Sequence, residues 1–170
     1  VLSSAASDVY KRQIQGISGL MSLTGSNHKE PIKSGVPISD LSTGMFAIIG
    51  ILTALRNKEV TGKGEKIDIS MLDCQASLLN YIATMHLISG KDPEPIGNEH
   101  PVHTPFNSYK TADGFIILSV VHEDFWPNLV QALDLKDLDI EKYESATGRS
   151  KDRAKIDSTL EEIFIKKVHL

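Results

Sequence analysis

PISDLSTGMFAIIGILTAL, from Pro37 to Leu55, sets one carboxylate, Asp40, at the mouth of a long apolar segment. From Gly44 to about Lys58 the segment is apolar nearly all round (Met45, Phe46, Ala47, Ile48, Ile49, Ile51, Leu52, Ala54, Leu55). That pattern predicts a helix buried between layers rather than one lying on a surface. Arg56, Asn57 and Lys58 suit its end, where the carbonyl pole of a helix favours positive charge. Asp40 has two readings. It is an N-cap if its carboxylate accepts hydrogen bonds from the first free amides. It is a reactive group if the same amides hold it ionised and fixed, as a nucleophile requires.

Working outward, TGKGEK breaks the chain after this helix, and KIDIS (Lys66 to Ser70) alternates apolar and polar residues as a short strand does. Ser70, with Asp73 three residues on, predicts a capping box opening a helix over Met71 to Ser89, with Met71, Leu72, Leu78, Leu79, Ile82 and Met85 on its apolar face. GKDPEPIGNEHPVHTP is rich in Pro, Gly and charge, and marks a boundary between domains. NSYKTADGFIILSVV reads as a β-hairpin turning at Ala112-Asp113-Gly114. HEDFWPNLVQAL predicts a helix entered near Glu123 and Asp124, with Pro127 confined to its first turn. A last amphipathic helix starts near Lys151.

The 170 residues carry a net charge of -4, with 41% hydrophobic and 24% charged residues, which is ordinary globular composition. The negative balance argues against a general nucleic-acid or membrane-surface binder and leaves room for a local basic pocket. One cysteine, Cys74, excludes an internal disulfide and fits a reducing compartment, so a cytoplasmic location is expected. No apolar run reaches the roughly 18 residues of a membrane span, because Ala47 to Leu55 is soon followed by Arg56, Lys58 and Glu59. The ends look foreign to the rest. DVYKRQ, Asp8 to Gln13, resembles the translation of a transposon-end adapter used in sequencing libraries, which sets residues 1–13 apart as a non-native tail that should pack poorly and stay away from any site. STLEEIFIKKVHL stops inside a helical pattern without a breaker, as an internal fragment of a longer protein would.

SGLMSLTG, then SGVPISDLSTGMFAIIGILTALRNKEVTGKGEKIDISMLD, then GNEHPVHTPFNSYKTADGFIILSV follow one another in an order that resembles the class III CoA-transferase family, which includes formyl-CoA and carnitine CoA-transferases and the related α-methylacyl-CoA racemases. The likeness covers about Ile14 to Leu135. It implies an α/β fold in which residues 14–90 belong to a large Rossmann-like domain, 91–105 form a linker and 106–170 belong to a smaller α+β domain. It also implies an interlocked homodimer for the whole protein, no covalently bound cofactor and no metal, and acyl-CoA and carboxylate substrates; from the charge balance, neither nucleic acid nor membrane is expected as a partner.

Asp40 of DLSTG falls on the family's D-x-x-[TA]-G motif, so the resemblance makes it the catalytic carboxylate, passing through an aspartyl-CoA thioester, with backbone amides near Ser42-Thr43-Gly44 expected to receive the oxyanion. Gly97, Asn98 and His100 belong to its GNxHP segment and are expected on the substrate side; residues that grip CoA lie upstream and are not identified. His100 and His103 beside Glu99 have an H-x-x-H look, but a Pro-bearing loop without a partner motif is a poor zinc site. Cys74 reads as a buried structural thiol, Lys63 as a solvated turn lysine, and Phe125 and Trp126 as core residues. The glycine-rich tetrad of formyl-CoA transferases is missing from EPIGNEHPVHTP, which points to the broader acyl-transferring branch. A racemase, which uses an Asp here paired with an upstream histidine, and an inactive fragment of the same fold both stay open.

Overall fold

A computed structural model of the chain describes residues 4–26, 29–135, 138 and 141–167. Val1 to Ser3 of the tail, and Val168 to Leu170 of the C-terminal pattern, lie outside the described residues. The chain divides between Gly97 and Asn98 into two compact units.

The first unit is helical: α1 (Ser4–Ile17), α2 (Leu20–Leu23), α3 (Ile38–Thr61), α4 (Met71–Ser77) and α5 (Asn80–Ser89). The apolar segment forms α3, stopped where Gly62 enters the left-handed region and its amide returns to the Lys58 carbonyl. α3 packs on α4 and α1, yet Met45, Ile48, Ile49, Leu52 and Leu55 each remain about half exposed or more. The expectation of a helix buried on all sides is therefore not met within this chain. Its all-round apolar surface has neighbours on one flank. By length and composition alone α3 is also long and apolar enough to cross a membrane, with a mean hydropathy of 1.7 over its best 18-residue window. The expectation that no apolar run is long enough is therefore not met: it measured the run from Ala47 to the charges at Arg56, Lys58 and Glu59, whereas the helix begins at Ile38.

Lys66 to Ser70 is extended but joins no sheet among the described residues. A strand exists only with a neighbour to take its backbone hydrogen bonds, and none is offered here. Ser70 does cap α4, its hydroxyl accepting the Asp73 amide at 3.2 Å. The single helix expected over Met71 to Ser89 is broken instead. Leu78 and Leu79 donate to carbonyls three residues back, and Asn80 takes φ 46°, a left-handed conformation that Asn tolerates better than most residues.

The second unit is α+β. β1 (Phe106–Lys110) and β2 (Phe115–Ser119) pair antiparallel, Phe106 opposite Ser119 and Lys110 opposite Phe115, and the turn closes by Thr111 N–H to the Gly114 carbonyl at 2.9 Å. α6 (Phe125–Leu133) follows, with Pro127 in its first turn, where a missing N–H breaks no helical bond. The short α7 (Ala146–Lys151), which the sequence reading omitted, is capped by Ser145 accepting the Gly148 amide at 3.1 Å. α8 (Arg153–Phe164) closes the unit.

This unit owns the hydrophobic core: Tyr109, Val120, Trp126, Val130, Leu135, Leu138, Tyr143, Ile156, Leu160 and Phe164 cluster at its centre. Trp126 is wholly buried, edge-on to Tyr143, with the Arg149 guanidinium 5.7 Å from its ring centre. Arg149 is itself buried and spends its donors on the carbonyls of Thr104, Tyr143 and Glu144 (each 2.8 Å) and on Glu123 Oε2 (2.7 Å). It can approach so closely because Gly148, beside it, lies against the Lys142 carbonyl with no room for a Cβ.

Candidate active site

Asp40 is the third residue of α3. Pro37 occupies the capping position, and no side chain caps this end. The N-cap reading is therefore displaced by three residues, and the helix dipole links the carboxylate to the helix end. The amides of Asp40 and Leu41 both turn back to the Pro37 carbonyl at 3.1 Å. Ser42, Thr43 and Gly44 already lie inside the helix, where each amide bonds to the carbonyl four residues back. They are committed, so the expectation that they receive an oxyanion does not fit this geometry. A Cβ at Gly44 would meet nothing within 4 Å.

The Asp40 side chain, about one-third exposed, opens on a cleft of about 250 Å³ shared with Lys11, Arg12, Gln15, Lys33 and the Ser34–Pro37 segment. Lys11 Nζ stands 3.4 Å from Asp40 Oδ1. The stretch expected to keep away from the site thus reaches it: Tyr10 stays half exposed, outside any core, but Lys11 forms part of α1 and of the cleft. Gln15 is buried and its Oε1 accepts the Ser34 amide at 3.0 Å, which ties the cleft wall to α1. The cleft combines an anionic nucleophile candidate with cationic walls, an arrangement that suits an anionic reactant approaching a carboxylate.

Behind Asp40 the first turn of α3 is fastened by hydroxyls. Ser42 Oγ and Thr43 Oγ1 both donate to the Ser39 carbonyl, at 3.2 and 2.6 Å, and Ser39 Oγ donates to Gln75 Oε1 on α4 at 2.7 Å. Ser39, Ser42 and Gln75 are fully buried. The sequence reading missed Gln15, Lys33, Ser39 and Gln75. Gln75 alone left a signal, as a polar residue three before Leu78 and four after Met71 on a face otherwise apolar.

Of the loop residues, Gly97 lies in the first unit, φ 64°, its amide donating to the Gly25 carbonyl at 2.7 Å. Asn98 and His100 belong to the second unit. Asn98 Nδ2 donates to Ser108 Oγ at 2.7 Å. His100 Nδ1 accepts the amides of both Val102 and His103 at 3.1 Å, so that nitrogen carries no proton. Burial, then the neighbouring His103 and Arg153, lower its pKa below the usual 6.5. The His100 carbonyl accepts from Arg153 at 2.7 Å, and Glu99 pairs with Arg153 at 3.3 Å. Among the described residues no group of His, Cys, Asp or Glu is arranged to hold a metal ion. Cys74 is buried on α4.

The same mixed α/β fold occurs in a solved CaiB/BaiF family protein from Brucella suis, 34% identical, with a TM-score of 0.76 over 93% of this chain and 42% of that one. The profile of CoA-transferase family III matches residues 4–169, and the chain belongs to that family. It is 36% identical over 141 residues to a succinate–glutarate CoA-transferase of Agrobacterium fabrum, covering 82% of this chain and 35% of that protein. It is 33% identical over 156 residues to a human succinyl-CoA:glutarate CoA-transferase, covering 91% of this chain and 36% of that protein. The chain thus spans about a third of the length of the curated relatives it matches.

Proposed function

We propose that this chain supplies the nucleophile-bearing segment of a class III CoA-transferase, an enzyme that moves coenzyme A from an acyl-CoA donor to a carboxylic acid. The observation that carries this reading is the placement of Asp40: in the family's D-x-x-[TA]-G motif, in the first turn of α3, facing an open cleft walled by Lys33 and Gln15. The relatives named for succinate and glutarate favour dicarboxylates as donor acid and acceptor.

One Asp40 oxygen attacks the thioester carbonyl of the donor and expels CoA thiolate, leaving a mixed anhydride. The thiolate returns to the Asp40 carbonyl, the donor acid departs as a carboxylate, and an aspartyl-CoA thioester remains. The acceptor carboxylate then attacks that thioester and releases the thiolate. Attack of the thiolate on the acceptor's carbonyl yields the new acyl-CoA and restores the Asp40 carboxylate. Splitting one difficult acyl exchange into anhydride and thioester steps is the gain of covalent catalysis. Coenzyme A enters and leaves as substrate, with no resident cofactor in the scheme. In the complete protein we place residues 14–90 in a Rossmann-like domain, with α3 in its interior rather than in a bilayer, within a cytoplasmic homodimer.

The test is made on the full-length protein carrying this segment. Asp40→Asn keeps the size of the side chain and removes the anionic nucleophile. CoA transfer should fall by at least a thousandfold while the fold survives, and hydroxylamine added with acyl-CoA should label Asp40 in the wild type alone. Transfer at the wild-type rate by Asp40→Asn, or a label elsewhere, rejects the scheme. Exchange of the substrate's α-proton with deuterium and no label would assign the protein to the racemases.

A further inference from the structure

A fully buried glutamine is an uneconomical way to fill a helix interface, and Gln75 is one. Its Oε1 accepts Ser39 Oγ at 2.7 Å, while its Nε2 is buried and has no hydrogen-bond partner among the described residues. Leaving such a donor unmet costs stability, and replacing both members of a buried pair by apolar groups of the same shape is often neutral or favourable. Packing α3 on α4 therefore does not call for Ser39 and Gln75. A hydrogen bond adds what dispersion lacks, a fixed length and direction.

That fixed point falls next to Asp40. Ser39 is its chain neighbour, and the Ser39 carbonyl also receives the hydroxyls of Ser42 and Thr43, from within the DLSTG motif itself. Three side-chain bonds thus converge on the residue before the carboxylate, and one of them comes from a different helix. With no capping side chain at Pro37, the link to Gln75 is a cross-helix restraint on this first turn.

We propose that Gln75 is a positioning residue: through Ser39 it holds the first turn of α3 against α4 and so sets the height and direction of the Asp40 carboxylate. This rests on Asp40 being the nucleophile. Attack on a thioester carbonyl needs near-contact alignment, and a displacement of about 1 Å costs on the order of a hundredfold in rate.

The experiment compares Gln75→Met, Ser39→Ala and the double variant in the full-length protein. The readouts are kcat, KM for each substrate, the rate of hydroxylamine capture at Asp40, and the thermal midpoint. Each single variant should lower kcat and the capture rate together, by about ten- to a hundredfold, with both KM values within twofold. The double variant should be no slower than the slower single, because both break one bond. Unchanged kcat and capture with a lowered midpoint would overturn the proposal and leave Gln75 as packing. A raised KM at unchanged kcat would overturn it too. If Gln75→Met fails to fold, Ser39→Ala, a small change to a good helix former, decides by the same criteria. Wild-type turnover by Asp40→Asn would instead remove the nucleophile and this proposal with it, whereas an inactive Asp40→Asn beside an unaffected Ser39→Ala rejects only the positioning role.

Discussion

The two units of the chain bury different balances of apolar and polar residues. The second closes around ten apolar and aromatic side chains. In the first, the buried apolar side chains among the described residues are Ile14, Cys74 and Pro95, beside Gln15, Ser18, Ser39, Ser42 and Gln75, while α3 leaves most of its Ile, Leu and Met exposed. One unit holds itself together by area removed from water. The other holds a local polar arrangement around a carboxylate and leaves its apolar surface exposed. Apolar burial and the proposed site thus lie in different halves.

The largest effect that would break this comparison lies in the second unit. Trp126→Ala should cost about 4 kcal/mol by emptying the centre of the core, read as a urea midpoint for the second unit; a loss under 1 kcal/mol would mean that the unit does not depend on its aromatic cluster. A middling effect sharpens the contrast in the first unit. Leu52→Ala, on the exposed surface of α3, should change the stability of this chain by no more than about 0.5 kcal/mol. The same substitution should cost about 3 kcal/mol in the full-length protein if the remaining polypeptide covers α3. Equal values in both settings would show that this surface stays open.

The smallest effect concerns His100. Its folded pKa lies below 6.5 because burial, His103 and Arg153 disfavour the charged ring. Above pH 6.5 the ring is neutral folded or unfolded, and its contribution is complete. As pH falls below 6.5 the unfolded chain takes up the proton first, so stability declines toward the lowered folded value. Melts of the second unit at pH 7.5 and 5.5 should show this loss, and His100→Asn should flatten the part due to the ring. An identical slope in the variant would break the assignment of this loss to the His100 ring.

What the sequence disclosed, and what it hid, follows the same division. The hairpin over 106–119, the helix bearing Pro127 and the Ser70 cap depend on neighbours a few residues away, and all three were legible. Lys66 to Ser70 was misread as a strand because pairing needs a partner that the local pattern cannot supply. The burial of α3 was misjudged for the same reason. Asp40 stood out through its motif, whereas Gln75, thirty-five positions later, left only its polarity on an apolar face, and an isolated glutamine says nothing about which hydroxyl it will meet. Even the break at Asn80 sat in a run whose apolar spacing remained helical.

Gly148 carries a consequence for how this sequence can drift. Any side chain there must push away the Lys142 carbonyl. The turn that moves also bears the Tyr143 and Glu144 carbonyls that Arg149 grips. The position is closed to nineteen of the twenty amino acids by a clash with backbone, which rotamer changes cannot relieve. A substitution at Arg149 is thereby entered separately from one at Gly148: the arginine can be traded for another way of satisfying those carbonyls, whereas the glycine has no alternative until the 142–145 turn has changed first. Mutational paths through the second unit therefore have a required order, written into one missing methyl group.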